Sequence, residues 1–105
     1  MSERIQTDGS FSTDVYSDVE LEMPPNFNVI FFNDDYTTMD FVVNVLKSVF
    51  HKSDFEAEKL MNSVHTKGSA IVGTYTYDIA ATRVTITRNL ARKEGFPLRV
   101  EMENA

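Results

Sequence analysis

The sequence predicts a small α+β domain in the order β-α-α-β-α-β, with three helices packed on one face of a three-stranded, mostly antiparallel sheet and a flexible N-terminal tail in front. Three observations carry that expectation. At 105 residues, 42% hydrophobic and 25% charged, the chain has the size and composition of one globular domain. Apolar residues recur at strand spacing in some stretches and at helix spacing in others, and stripes of both kinds bury each other when helices lie across a sheet. Charge is segregated as well: residues 1–23 hold six acids against the single base Arg4, a net −5, while the rest of the chain is close to balance.

The acidic segment is rich in Ser, Thr and Asp, and its large apolar residues follow no period across its length, which predicts a flexible tail. Pro24-Pro25 marks its end, because neither proline donates a ladder hydrogen bond and each restricts the residue before it. The tail is therefore expected over residues 1–25 and the folded domain over 26–105. Residues 27–33 are aromatic and β-branched, the mark of a buried strand. Asn33-Asp34-Asp35-Tyr36 is a turn cluster whose short polar side chains bond local backbone. Thr37 reads as the N-cap of a first helix, with Asp40 a weak capping-box partner. Met39, Val42, Val43, Leu46, Val49 and Phe50 then fall at helical spacing. Ser53-Asp54-Phe55-Glu56 is a clearer capping box; it opens a second helix that puts Ala57, Leu60, Met61, Val64 and His65 on one face and stops at Gly68. Residues 70–75 read as a strand and Thr76 as the cap of a third helix. Ile79, Ala80, Val84, Ile86, Leu90 and Ala91 suit a helix, while Val84-Thr85-Ile86-Thr87 alternates like a strand; good helix formers on both sides and Gly95 as a stop favour the helix. After Pro97, Leu98, Val100 and Met102 alternate with Arg99, Glu101 and Glu103, a half-buried strand.

Several function classes drop out. A net charge of −6 argues against binding a phosphate backbone. The longest apolar run, Val29-Ile30-Phe31-Phe32, is far short of a membrane span, and no apolar core follows Arg4, so no signal peptide is expected. With no cysteine there is no disulfide or thiol chemistry, which fits a reducing cytosol. The chain has no G-x-S-x-G elbow, and its glycines at 9, 68, 73 and 95 are too scattered to cradle a phosphate. Two features remain. Asn33-Asp34-Asp35 closes a strand, where a plain polar turn is the commonest meaning. His65 lies one turn after Met61, where a core histidine bonded to a carbonyl is the commonest meaning. Asp34, Asp35 and His65 together would also suit a small metal-dependent hydrolase, although H-E-x-x-H and Cys/His ligand spacings are absent.

The run from Val29 to Val42, which includes Asn33-Asp34-Asp35-Tyr36-Thr37-Thr38-Met39, resembles the signature of the ClpS adaptors, bacterial N-degron recognition proteins. The likeness continues through Leu60-Met61-Asn62-Ser63-Val64-His65 and Gly73-Thr74-Tyr75-Thr76-Tyr77-Asp78-Ile79-Ala80 and ends at Phe96-Pro97-Leu98, four blocks in collinear order. The acidic N-terminal segment is similar to the family's tail. Three positions depart from the pattern: Thr38 stands where a helix-starting proline is usual, Asp78 where a glutamate is common, and Ala81 replaces a frequent acid.

The resemblance implies a non-enzymatic adaptor of the cytoplasm with no cofactor and no metal. Such a protein binds the free α-amino group and first side chain of substrates beginning with Leu, Phe, Tyr or Trp, and hands them to a Clp AAA+ unfoldase. It implies α-amino binding by Asn33, Asp34, Asp35 and His65, and a hydrophobic pocket built from Thr37, Met39, Val42, Met61, Val64 and Leu98. Contact with the N-domain of a ClpA- or ClpC-type unfoldase is implied at Tyr75, Thr76, Asp78 and Arg83. Of the two aspartates, Asp35 is the expected direct partner of the ammonium. In an extended strand Asn33 and Asp35 point to one side and Asp34 to the other, leaving Asp34 to brace the turn.

Overall fold

The computed structural model describes residues 25–105; the expected acidic tail lies, apart from Pro25, outside the described residues. The elements are β1 (Asn26–Phe32), α1 (Met39–Ser48), α2 (Asp54–Lys67), β2 (Ser69–Thr76), α3 (Tyr77–Glu94) and β3 (Arg99–Asn104). Element order and fold class are those expected from the sequence. The sheet is wholly antiparallel, in the order β2-β1-β3.

The apolar central strand sits where it can be buried from both sides. Val29 and Phe31 are fully buried and point to the same face as Val72 and Val100 from the flanking strands. Burying a side chain of that size contributes about 1.5–3 kcal/mol, so this row and the helices above it form the core. The β1–β2 register slips between Val29 and Ile30, leaving Val72 as an extra residue, a bulge in the outer strand. On the other side, Arg88 of α3 reaches over β3 to donate to the Val100 carbonyl.

The second helix starts and stops as its sequence dictates. Ser53 and Glu56 form a reciprocal capping box, and Gly68 ends the helix in the left-handed conformation. The first helix begins differently from the expectation. Thr38, not Thr37, is the N-cap: its hydroxyl accepts from the Phe41 N–H at 3.2 Å, and Asp40 is no capping-box partner. Thr37 is unavailable because Asp34 has drawn its hydroxyl into the preceding turn. The helix stops at Ser48, one residue before Val49, but Val49 and Phe50 remain buried, and Phe50 packs edge-on against Phe31 at 5.5 Å.

The third helix runs straight through Val84-Thr85-Ile86-Thr87. Its inward face is made mostly of small residues. Ala80, Val84, Thr87 and Ala91 are buried, whereas Ile79, Ile86 and Leu90 are 45%, 42% and 36% exposed. A helix laid close on a sheet packs small residues at the contact, and the Thr87 hydroxyl satisfies itself on the Arg83 carbonyl at 2.8 Å.

Candidate functional site

The loop from β1 to α1 crosses the end of the sheet beside the last turn of α2. Between them lies an open cleft of about 390 Å³. Its apolar wall is Met39 and Val42 from α1 with Met61 and Val64 from α2; its polar rim is the turn at residues 33–38 and His65. Val42, Met61 and Val64 are buried, while Met39 is 47% exposed at the start of α1.

The turn is held from within. Asp34 accepts the N–H of Tyr36 at 2.8 Å and the N–H and O–H of Thr37 at 2.6 and 2.8 Å. Partial burial on its own would raise the Asp34 pKa, but these bonds to the ionised form, those of Thr37 foremost, outweigh it and hold the carboxyl below its ordinary 3.8. Three donors are thereby spent on one carboxylate, and Asp34 serves the loop. The side chains of Asn33, Asp35 and His65 make no hydrogen bond to another described residue, and all three are exposed along the cleft. The Asn33 N–H donates to the Gly68 carbonyl at 2.9 Å, continuing the β1–β2 ladder by one step past Phe32–Ser69.

Acceptors on one rim and thioether and aliphatic groups on the wall suit a ligand with a cationic or donor-rich end and an apolar body. Asp34, Asp35 and His65 do not suit a metal. No group of three or more His, Cys, Asp or Glu able to hold an ion occurs among the described residues, and both Asp34 oxygens are already engaged.

Most of the residues expected at the site meet here: Asn33, Asp34, Asp35, Thr37, Met39, Val42, Met61, Val64 and His65 all line the cleft. Leu98 does not. It is buried and lines a separate depression with Ala91, Phe96 and Val100. His65 also departs from the apolar stripe on which its spacing placed it. At the end of α2 the stripe runs off the core, and the ring is exposed. Tyr36 and Thr38 line the cleft too; both stand in the run that carries the ClpS resemblance, but neither was expected at the site.

The family model described as ATP-dependent Clp protease adaptor protein ClpS matches residues 22–101. The chain belongs to the ClpS family. It is 50% identical over 91 residues to the ATP-dependent Clp protease adapter protein ClpS of Nautilia profundicola, covering 87% of this chain and 94% of the relative. Against the ClpS of Myxococcus xanthus the identity is 41% over 103 residues, 98% of this chain and 96% of the other. Among solved structures it is similar to Agrobacterium tumefaciens ClpS2 bound to L-phenylalaninamide, with a TM-score of 0.76 and 37% identity over 79% of this chain and all of that one. ClpS proteins are adaptors of the Clp protease and not enzymes, and that holds for this ClpS-family chain.

The residues expected at the unfoldase contact sit away from the cleft, at the junction of β2 and α3. The Arg83 guanidinium lies over the Tyr75 ring, 4.6 Å from its centroid, and Thr76 and Asp78 are exposed at the start of α3. No helix among the described residues is long and apolar enough to cross a membrane.

Proposed function

We propose that this ClpS-family chain binds the free α-amino group and bulky apolar first residue of proteins beginning with Leu, Phe, Tyr or Trp, and delivers them in the cytoplasm to the N-domain of a ClpA- or ClpC-type unfoldase. The observation that carries the reading is the cleft itself, where an apolar wall adjoins three polar side chains that no described residue engages. An α-amino group has a pKa of about 7.7–8.0 and is mostly an ammonium with three donors at neutral pH. The Asn33 carbonyl oxygen, the Asp35 carboxylate and a neutral His65 nitrogen supply three acceptors. With Asp34 committed to the turn, Asp35 is the charge that meets the ammonium. Met39, Val42, Met61 and Val64 take the first side chain, whose burial is worth about 1.5–3 kcal/mol and selects bulky apolar residues over small polar ones. The likeness to a ClpS2 that binds phenylalaninamide, an amine joined to an aromatic side chain, supports the same division of labour. Delivery uses the separate surface at Tyr75, Thr76, Asp78 and Arg83, so a loaded cleft and a docked unfoldase do not compete.

The test is a binding titration with peptides that differ only at their first residue, each with a free and with an acetylated amine. Acetylation removes the charge and two donors and leaves the Asp35 charge without its partner, so affinity for a Phe-starting peptide falls about a hundredfold. Equal binding of the two forms would sink the proposal.

A further inference from the structure

We infer that Gly68 is a positioning residue for the cleft: its left-handed backbone ends α2 just after His65 and turns a carbonyl onto Asn33, so one glycine sets the spacing between the two polar halves of the site. The inference rests on the N-degron reading above.

The halves belong to different elements. Asn33 and Asp35 ride on the turn after β1, and His65 on the last turn of α2. Gly68 is fastened to both. Its N–H donates to the carbonyl of Val64, a wall residue of the cleft, at 3.0 Å, and its own carbonyl accepts the Asn33 N–H at 2.9 Å. Both bonds hold together only with the peptide planes on either side of Gly68 turned as they are, at φ 91° and ψ −24°. An L-residue resists that conformation because its Cβ crowds the backbone, and glycine does not. Space is not the obstacle: a Cβ at position 68 meets no atom within 4 Å. A substituted residue therefore either keeps the angle at a backbone cost or rotates out of it, and rotation swings the carbonyl off Asn33.

The fold supplies its own control. Gly95 ends α3 at φ 78°, a Cβ there also meets nothing within 4 Å, and its N–H caps the Ala91 and Arg92 carbonyls. It leads into the connection to β3 and is not among the residues that line the cleft. A mere helix terminator at 68 and one at 95 respond alike to alanine; a positioning residue at 68 does not.

The experiment compares Gly68→Ala, Gly68→Asn and Gly95→Ala in the full chain. It measures the melting temperature, the hydrogen-exchange rate of the Asn33 amide, and affinity for a Phe-starting peptide with a free or acetylated amine. Both alanine variants are expected to melt at a similarly lowered temperature. Only Gly68→Ala speeds exchange at Asn33 and loses affinity for the free amine, by about tenfold or more, the equivalent of one hydrogen bond to a charged group. Asn, which tolerates the left-handed region, restores most of that affinity and keeps the test readable if the alanine variant does not fold. Gly68→Ala binding as tightly as Gly95→Ala, or an unchanged Asn33 amide, would overturn the inference while leaving the N-degron reading standing. A parent that binds free and acetylated peptides alike overturns that reading and this inference with it.

Discussion

Replacing Asp34 by alanine separates bracing from binding. The carboxylate accepts three hydrogen bonds, from the Tyr36 N–H and from both donors of Thr37. A bond to a charged group is worth about 1.5–3 kcal/mol when fully buried. Asp34 is only partly buried, so its released donors find water, and the whole set is discounted to about 1–2 kcal/mol. At about 4–8 °C per kcal/mol for a domain of this size, the melting temperature of Asp34→Ala falls by roughly 4–16 °C at pH 7. The acid dependence follows from the lowered pKa. A carboxyl whose folded pKa lies below its unfolded 3.8 contributes its full stability above that value and loses it as the pH falls through the folded one. Denaturant unfolding of parent and variant at pH 7 and again near pH 2.5 gives the gap between them; it is full at pH 7 and narrows at the lower pH. Asp35→Asn behaves in the opposite way. It leaves stability within about 0.5 kcal/mol of the parent, as exposed substitutions do, and lowers affinity for a free-amine Phe peptide about tenfold or more. A stability gap for Asp34→Ala that is the same at both pH values would refute the ionised brace. A destabilised Asp35→Asn would refute the division between the two aspartates.

Met39→Ala is expected to open the cleft at its exposed end, so that peptides beginning with Ile or Val gain affinity while Leu peptides lose it; a first-residue titration that still excludes Ile as strongly as the parent would make Met39 a plain wall. Thr38→Ala removes the hydroxyl that caps α1 and costs about 1 kcal/mol in denaturant unfolding, with a smaller loss of peptide affinity because Met39 begins the same helix. A truncation starting at Asn26 is expected to keep peptide and unfoldase binding but to fail in stimulating degradation of an N-degron reporter, since about 23 residues at up to about 3.3–3.6 Å each reach several tens of ångströms toward a docked unfoldase. Peptide affinity and degradation rate measured on the same truncated protein decide it, and normal degradation would leave residues 1–23 with a solubilising role alone.

How far the residues announce the structure varies with how local the physics is. Ser53 with Glu56, and Gly68 and Gly95 beyond their helices, are self-contained signals, and each stands where it was expected. Thr37 and Thr38 offer the same chemistry side by side. Only the Asp34 turn decides which of them caps, and that turn depends on where the strand delivers it. On α3, size is a poor guide. Ile79, Ile86 and Leu90 look like core, but the distance between helix and sheet admits Ala80, Thr87 and Ala91. The Asn33-Asp34-Asp35 run and His65 were legible as unusual polar groups, and the ClpS resemblance tied them together. Leu98 is buried and lines a depression of its own with Ala91 and Phe96, and an apolar residue at the mouth of a strand can serve wall and core together. The bond from Asn33 to Gly68 was not legible at all, since it joins positions 35 apart through backbone atoms that every residue type carries.

A protein whose work brings it beside unfolding chains has reason not to become one of their aggregation partners. Unsatisfied strand edges are the usual template for such accidents. Here the sheet has two outer strands, and neither offers a clean edge. The Val72 bulge breaks the repeat of β2 midway, so an incoming strand loses register after a few residues. Along β3, Arg88 already occupies the Val100 carbonyl, and the charges of Arg99, Glu101 and Glu103 follow one another at every second position. The bulge and the arginine together make this fold a poor seed for the aggregates its clients would form.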